Sequence, residues 1–442
     1  MGDRISQLTN TGLESPHRTT ARQRGANVAR IWCVSAPLYS HTDWGGYLRT
    51  ARALQARGHD VTWVSGEALR GAISGAGLRF AALEDTGWLW PPPPAPDLTK
   101  TPPQDAVRLR YQRALDTWLD EAKVAAGTRA LLDLAESDGA PDAILTDPFL
   151  SASAVAAEAL DIPMIVCGWP AMRELEEDGL FWVQKTLASE SRERVERLTA
   201  QFGVTGANFS RGATPSVLSP HAHIVYFTPG WYQAEADALL PENRFVGGIA
   251  HAAPEPEWLA NIPQETPLAV ITLGTTFTGD LGFYAWGAQA AAREGLLPVV
   301  ALGNNPIEPD KKAELVRALP KGTRLVTYVP FDAVLPRARL MIHHGGMGTT
   351  HAAVVWGVPQ IVVPHAADQR GQARRAAQAK IGLNLTAHDV RQGKLWEGAR
   401  AIMRESRVAE SCRALAAEMS ALGGVEAAAD AVEQAIRAGS SD

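Results

Sequence analysis

The densest run of chemistry-bearing residues is His343-His344-Gly345-Gly346-Met347-Gly348-Thr349-Thr350, set between a strand-like run and a helix-like run. Glycines there let the backbone take positive φ and come close to a ligand. The helix that follows presents N–H groups lacking helical partners and the positive end of its dipole, which together favour an anion. Thr349 adds a hydroxyl donor and His344 an imidazole at the rim. The run has no Gly-Lys-Ser/Thr of a Walker loop and no third glycine at dinucleotide spacing. Its chemistry suits a diphosphate. A plain glycine-rich turn is the competing reading, and the paired histidines and two threonines weigh against it. His343 itself reads as a packed or capping side chain.

A second centre is His41, in the loop PLYSHTDWGG that follows the strand run RIWCVS. This is the C-terminal edge of a sheet, where open α/β folds bind ligands. Histidine is the side chain suited to base chemistry near neutral pH. From spacing alone, however, His41 is an ordinary loop histidine. His17, His221, His223, His251 and His388 read as tail, loop or surface, and no trio of residues has metal-ligand spacing. The expectation is therefore no metal and no cofactor.

These centres need elements to hold them. Strands are expected at 30–35, 61–64, 143–146 and 164–167, with helices at about 47–56 and 152–160 between them. The βαβ arrangement calls for a parallel sheet. The pattern restarts with strands at 268–273, 297–301, 324–327, 339–342 and 360–363. The proline-rich stretch 87–103, GWLWPPPPAPDLTKTPP, reads as a stiff exposed excursion. The domains expected are a disordered tail at 1–28, an N-terminal α/β domain at 29–249 and a linker at 250–266. A C-terminal α/β domain follows at 267–424, with a last helix at 425–442. Two α/β domains joined once leave a ligand cleft between them.

The chain has 442 residues, enough for two cores. A net charge of −6 and no Lys/Arg run argue against a nucleic-acid partner. Cys33, Cys167 and Cys412 lie far apart with no CxxC spacing, which fits a reducing cytoplasm. No run approaches the roughly 18 apolar residues of a membrane span.

From Tyr328 the sequence runs YVPFDAVLPRARLMIHHGGMGTTHAAVVWGVPQIVVPHAADQRGQARR. This resembles the donor-binding signature of the family 1 glycosyltransferases of GT-B fold, above all the bacterial natural-product members that use UDP- or TDP-sugars. Weaker likeness spans nearly the whole chain after the tail. The resemblance implies an α/β fold of two Rossmann-like domains facing each other across a cleft, the N-terminal domain (29–249) binding the acceptor and the C-terminal domain (267–424) the nucleotide sugar, with the helix 425–442 packing back on the first. It also implies roles for individual residues. His344, Gly346, Gly348 and Thr349 would cradle the donor diphosphate, with Thr275 near phosphate on the opposing loop. Asp368 and Gln369 would hold sugar hydroxyls, since a carboxylate and an amide can each bond two neighbouring hydroxyls. The base would meet the Val329 backbone and stack on Tyr328. Plant members carry a Glu for the ribose where this chain has Ala352, so ribose recognition must differ.

In the resembled family the loop after the first strand holds the catalytic histidine, matching His41, and a buried aspartate matches Asp147 after the strand AILT. An Asp on the far ring nitrogen fixes the tautomer and stabilises imidazolium. The stretch after His41 is two residues longer than usual, which leaves His41 or Asp43 as the base. Trp44, Trp88, Trp90, Trp169 and Trp182 lie in or beside loops, with Met172 and Phe181 nearby in sequence. As a set they suit an apolar or aromatic acceptor, whereas Trp32 and Trp63 read as core. The expected activity is an inverting, metal-independent transfer of a hexose to a small molecule. A GT-B-fold epimerase and a catalytically silent nucleotide-sugar-binding homologue are the alternatives. Only the transferase would release nucleotide diphosphate in an acceptor-dependent way.

Overall fold

The computed structural model describes residues 28–94, 97–174, 182–274, 281–303, 307–365 and 368–439. The tail expected before residue 28, Phe181 and Thr275 lie outside the described residues.

Strands β1 (Arg30–Val34), β2 (Asp60–Gly66), β3 (Arg79–Leu83), β4 (Ala143–Thr146), β5 (Met164–Cys167), β6 (Ala222–Val225) and β7 (Asn243–Phe245) form one sheet in the order β3-β2-β1-β4-β5-β6-β7. A second sheet, in the order β10-β9-β8-β11-β12-β13, contains β8 (Leu268–Thr272), β9 (Leu297–Ala301), β10 (Arg324–Val326), β11 (Ala338–His343), β12 (Gln360–Val362) and β13 (Gly382–Asn384). Adjacent strands pair parallel in both sheets. Parallel strands are covered on both faces, so their sequences are continuous apolar runs. AILT, MIVC and LAVIT are buried at every position.

The strand order reverses between β1 and β4 in the first sheet and between β8 and β11 in the second. Chain connections leave such a pair in opposite directions and open a crevice at the carboxyl ends. Val34 of β1 pairs with Thr146 of β4, and Thr272 of β8 with His343 of β11. The loops carrying His41, Asp147, Gly274 and His344 therefore all emerge at the two crevices.

Helix Tyr47–Ala56 buries Tyr47, Ala51 and Leu54. The Tyr47 hydroxyl bonds the carbonyls of Val34 and Leu145 at 3.1 and 2.9 Å, tying that helix to both strands of the crevice. The last helix, Gly424–Gly439, packs on Tyr47–Ala56 and on β6. Arg57 reaches across to Glu426, Asp430 and Glu433 of that helix, and His59 to Glu433. Within 250–266 the chain makes the helical turn Glu257–Ala260 and buries Leu259 and Ile262 against β8 and β9 residues. Among the described residues no helix is long and apolar enough to cross a membrane.

One histidine corrects its sequence reading. His223, expected in a loop or on the surface, lies in β6 and is 2% exposed. Its Nε2 accepts from the Ser219 N–H and its Nδ1 faces the Trp169 carbonyl, both at 2.9 Å. A ring satisfied at both nitrogens can replace an apolar residue in a strand, and burial lowers its pKa to about 4.

Candidate active site

The loop after β1 turns sharply through a short helical turn at Tyr39–His41, which delivers the His41 ring over the end of β4. His41 Nδ1 lies 3.2 Å from Asp147 Oδ2. Asp147 is fully buried, and its two oxygens accept from the backbone N–H groups of Ala36 (2.8 Å) and Phe149 (2.9 Å). A carboxylate already filled by two donors faces Nδ1 as an acceptor. The ring proton is therefore placed on Nδ1, and Nε2 keeps its lone pair. The longer loop does not displace His41. Asp43 instead opens onto the cleft, where desolvation by the surrounding walls raises its carboxyl, opposed by Arg49 and the N–H groups of Gly45 and Gly46.

Aromatic rings enclose the histidine. Trp44 and Trp88 meet it edge-on at centroid distances of 4.8 and 4.9 Å, and Phe149 lies at 6.4 Å. Trp169 continues the cluster against Trp44 and Phe149. Trp90 and Trp182 are instead 46% and 50% exposed, and among the described ring contacts neither joins this cluster. Phe149 escaped the sequence reading. It stands two residues after Asp147, and that adjacency was the available signal.

Across the cleft, β11 ends at His343 and helix Met347–Val355 begins after Gly346. His343 is structural: its Nδ1 accepts from the Gly345 N–H at 3.1 Å and its Nε2 donates to Gln360 Oε1 at 2.8 Å. Gly345 holds the left-handed φ of 92° that turns the chain. Gly346 does not use positive φ. Its service is space, because a Cβ there would lie 2.5 Å from His344 Nε2, and one at Gly274 2.6 Å from His344 Cε1. The His344 ring is thus slotted between two glycines. Burial, with His343 and His365 nearby, lowers its pKa to about 3, so the ring is neutral at physiological pH. Gly348 faces the Asp43 carbonyl, bringing the two domains into contact beside the helix N-terminus.

Asp368 immediately precedes helix Gln369–Gln378 at the cleft wall. Burial raises its carboxyl to about 6, opposed by backbone N–H groups and by His41 across the cleft. Gln369 Oε1 accepts from the His365 N–H at 2.8 Å. Val329 is buried in the same wall, and the Tyr328 ring stands 65% exposed at its edge. These residues, with Thr349, line one cavity of about 580 Å³ shared by both domains. That volume suits a nucleotide-sized ligand.

Two doubly wound sheets with an anion loop in one and a His–Asp pair in the other, facing across a shared cavity, form the GT-B architecture of a sugar transferase. Residues 306–433 match the C-terminal domain described as erythromycin biosynthesis protein CIII-like. The NDP-glycosyltransferase YjiC of Bacillus subtilis is 26% identical over 91% of this chain and 96% of its own length. The demethyllactenocin mycarosyltransferase of Streptomyces fradiae is 26% identical over 87% of this chain and 82% of its own. The crystal structure of the kitacinnamycin glycosyltransferase superposes with a TM-score of 0.72 at 23% identity, covering 92% of this chain and 99% of the other. The matching C-terminal domain, the relatives and the solved structures together support a bacterial family 1 glycosyltransferase of GT-B fold, and the chain is a glycosyltransferase.

Proposed function

We propose that the enzyme transfers a hexose from a UDP- or TDP-sugar to a small apolar or aromatic natural-product acceptor, with inversion and without a metal. The observation that carries this reading is the His41–Asp147 contact, set among aromatic rings and facing Asp368 and the anion loop. His41 Nε2 takes the proton of the acceptor hydroxyl. That oxygen bonds to the anomeric carbon from the face opposite the diphosphate, and the bond from that carbon to the β-phosphate oxygen breaks. The electron pair leaves with the diphosphate, where the helix N-terminus, Thr349 and the His344 ring receive it. Preorganised donors of this kind stabilise the leaving charge as it develops. Two parallels support the choice of substrates: several relatives are named for antibiotic acceptors, and the spinosyn rhamnosyltransferase has been solved with thymidine diphosphate.

A panel of UDP- and TDP-sugars crossed with a mixed aglycone library, read by mass spectrometry, tests the proposal. Nucleotide diphosphate release should require an acceptor and continue in EDTA. Release without acceptor, or activity abolished by EDTA and restored by magnesium, would overturn the corresponding part.

A further inference from the structure

The cavity has two chemically opposite ends. One is the N-terminus of helix Met347–Val355, which attracts anions. At the other, Asp332 lies by Arg49, close to the Tyr328 ring. Carboxylates repel a phosphate but accept from hydroxyls. Asp332 comes from the short helix Phe331–Val334, and its Oδ1 accepts from Trp356 Nε1 at 3.0 Å. Trp356 in turn donates its backbone N–H to the Ala352 carbonyl at 3.1 Å. The Asp332 carboxylate is therefore clamped beside the helix face that carries Ala352. Its second oxygen lies 4.0 Å from Arg49 Nη1, too long for a hydrogen bond, and the side chain is 39% exposed.

We infer that Asp332 is the residue that reads the nucleoside sugar of the donor, its Oδ2 accepting from the 3′-hydroxyl that uridine and thymidine diphosphates share. The inference rests on the proposed donor placement. With the diphosphate at Gly348 and Thr349 and the base at Val329 and Tyr328, the nucleoside sugar has to cross Ala352, whose methyl group offers it no polar contact. The carboxylate that can meet it stands twenty residues earlier in the chain. One of its oxygens is held by an indole, so its position is fixed before the ligand arrives. Arg49, from the other domain, lies near the second oxygen, Oδ2, so a bound nucleoside would sit where the two domains are electrostatically joined.

Calorimetric titration with UDP and TDP, and with the 3′-deoxy counterpart of whichever binds more tightly, tests this on wild type, Asp332→Ala and Asp332→Asn. Asp332→Ala should weaken the hydroxylated nucleotide about 10- to 100-fold, the usual effect of losing a hydrogen bond to a charged group. The same substitution should change 3′-deoxy nucleotide affinity by less than about threefold, because the contact is already missing. Asp332→Asn keeps an acceptor for Trp356 and should fall between. Equal losses for both nucleotides would make Asp332 a purely structural residue and overturn the inference, as would undiminished binding in Asp332→Ala. Failure of wild type to bind UDP or TDP at all would instead overturn the donor reading beneath it.

Discussion

His41 and Asp147 are 106 positions apart in sequence, yet they meet because β1 and β4 are hydrogen-bonded neighbours whose ends align. If His41 is the base, His41→Ala should lower kcat by about 10²–10⁴, the range for a positioned general base. Donor affinity should change little. Asp147→Asn puts an amide where an acceptor is needed by Nδ1, Ala36 and Phe149, so it should lose activity and some stability together. Near-wild-type turnover in His41→Ala would remove it from the mechanism. Asp368 is a separate case. Its folded pKa of about 6 exceeds the usual 3.8 because burial disfavours the charge. The folded state thus holds its proton more tightly than the unfolded state, and stability is lost as pH rises through about 6. Asp368→Asn should therefore stabilise the apo fold at pH 8, by about 1–3 kcal/mol at most, while weakening sugar-donor binding. An unchanged or lower melting temperature at pH 8 would refute that trade. The candidate residues most legible in sequence were those packed into short motifs. Asp332 and Phe149 were not legible, because their significance comes from which helix or ring they face.

The elements that could be read from sequence were the buried strands, whose apolar runs are unbroken, and the helices with a clear apolar face or a glycine at one end. Those missed have weaker signals. β7 and β13 are three residues long and half-buried or exposed, and the helices Pro103–Leu119 and Trp182–Phe202 are largely polar. β6 hides His223 among apolar residues. Nor does local pattern reveal how helix Gln369–Gln378, which has Asp368 at its start, is held. The helical segment Pro229–Ala238 of the first domain grips it. Trp231 Nε1 donates to Gln372 Oε1 at 3.1 Å, Arg375 lies over the Tyr232 ring at 4.5 Å, and Glu235 bonds Arg374 and Arg375 at 2.8 and 3.2 Å. Gln372 Nε2 also donates to Met347 Sδ at the start of helix Met347–Val355. Gln372→Leu would leave the buried Trp231 donor without its acceptor, a loss of about 1–3 kcal/mol. A fall of a few degrees in melting temperature should accompany a severalfold rise in donor KM, with kcat less affected. A melting shift with unaltered donor KM would confine the grip to stability.

At the scale of the whole molecule, the two sheets and the interface between them share a titration behaviour. His223 sits in the first sheet, His343 at the end of β11 in the second with His344 in the loop just after it, and His351 between the two domains, against Gly45 and Gly248. Burial is the leading cause of a lowered pKa in all four, to about 4 for His223 and His343 and about 3 for His344 and His351. Each folded pKa lies below the unfolded value of about 6.5. The unfolded chain therefore binds more protons as pH drops, and the stabilisation present above 6.5 is lost progressively below it. Each site contributes up to about 1.4 kcal/mol per pH unit in that window. Asp368 works in the opposite direction but offsets only part. The net loss between pH 6.5 and 5 should be on the order of 5 kcal/mol, a large share of the stability of an ordinary domain. Urea unfolding at pH 7.5, 6.0 and 5.0 should show midpoints falling steeply below pH 6.5. His351→Gln, which removes one titrating site, should flatten the slope by about a quarter. Because His351 joins the domains, the variant should also separate their unfolding transitions at pH 5 less than wild type does. Midpoints that stay level from 7.5 to 5.0 would mean that the buried rings take up protons in the folded state, and the neutral His344 assigned to the phosphate end of the cleft would have to be withdrawn with them.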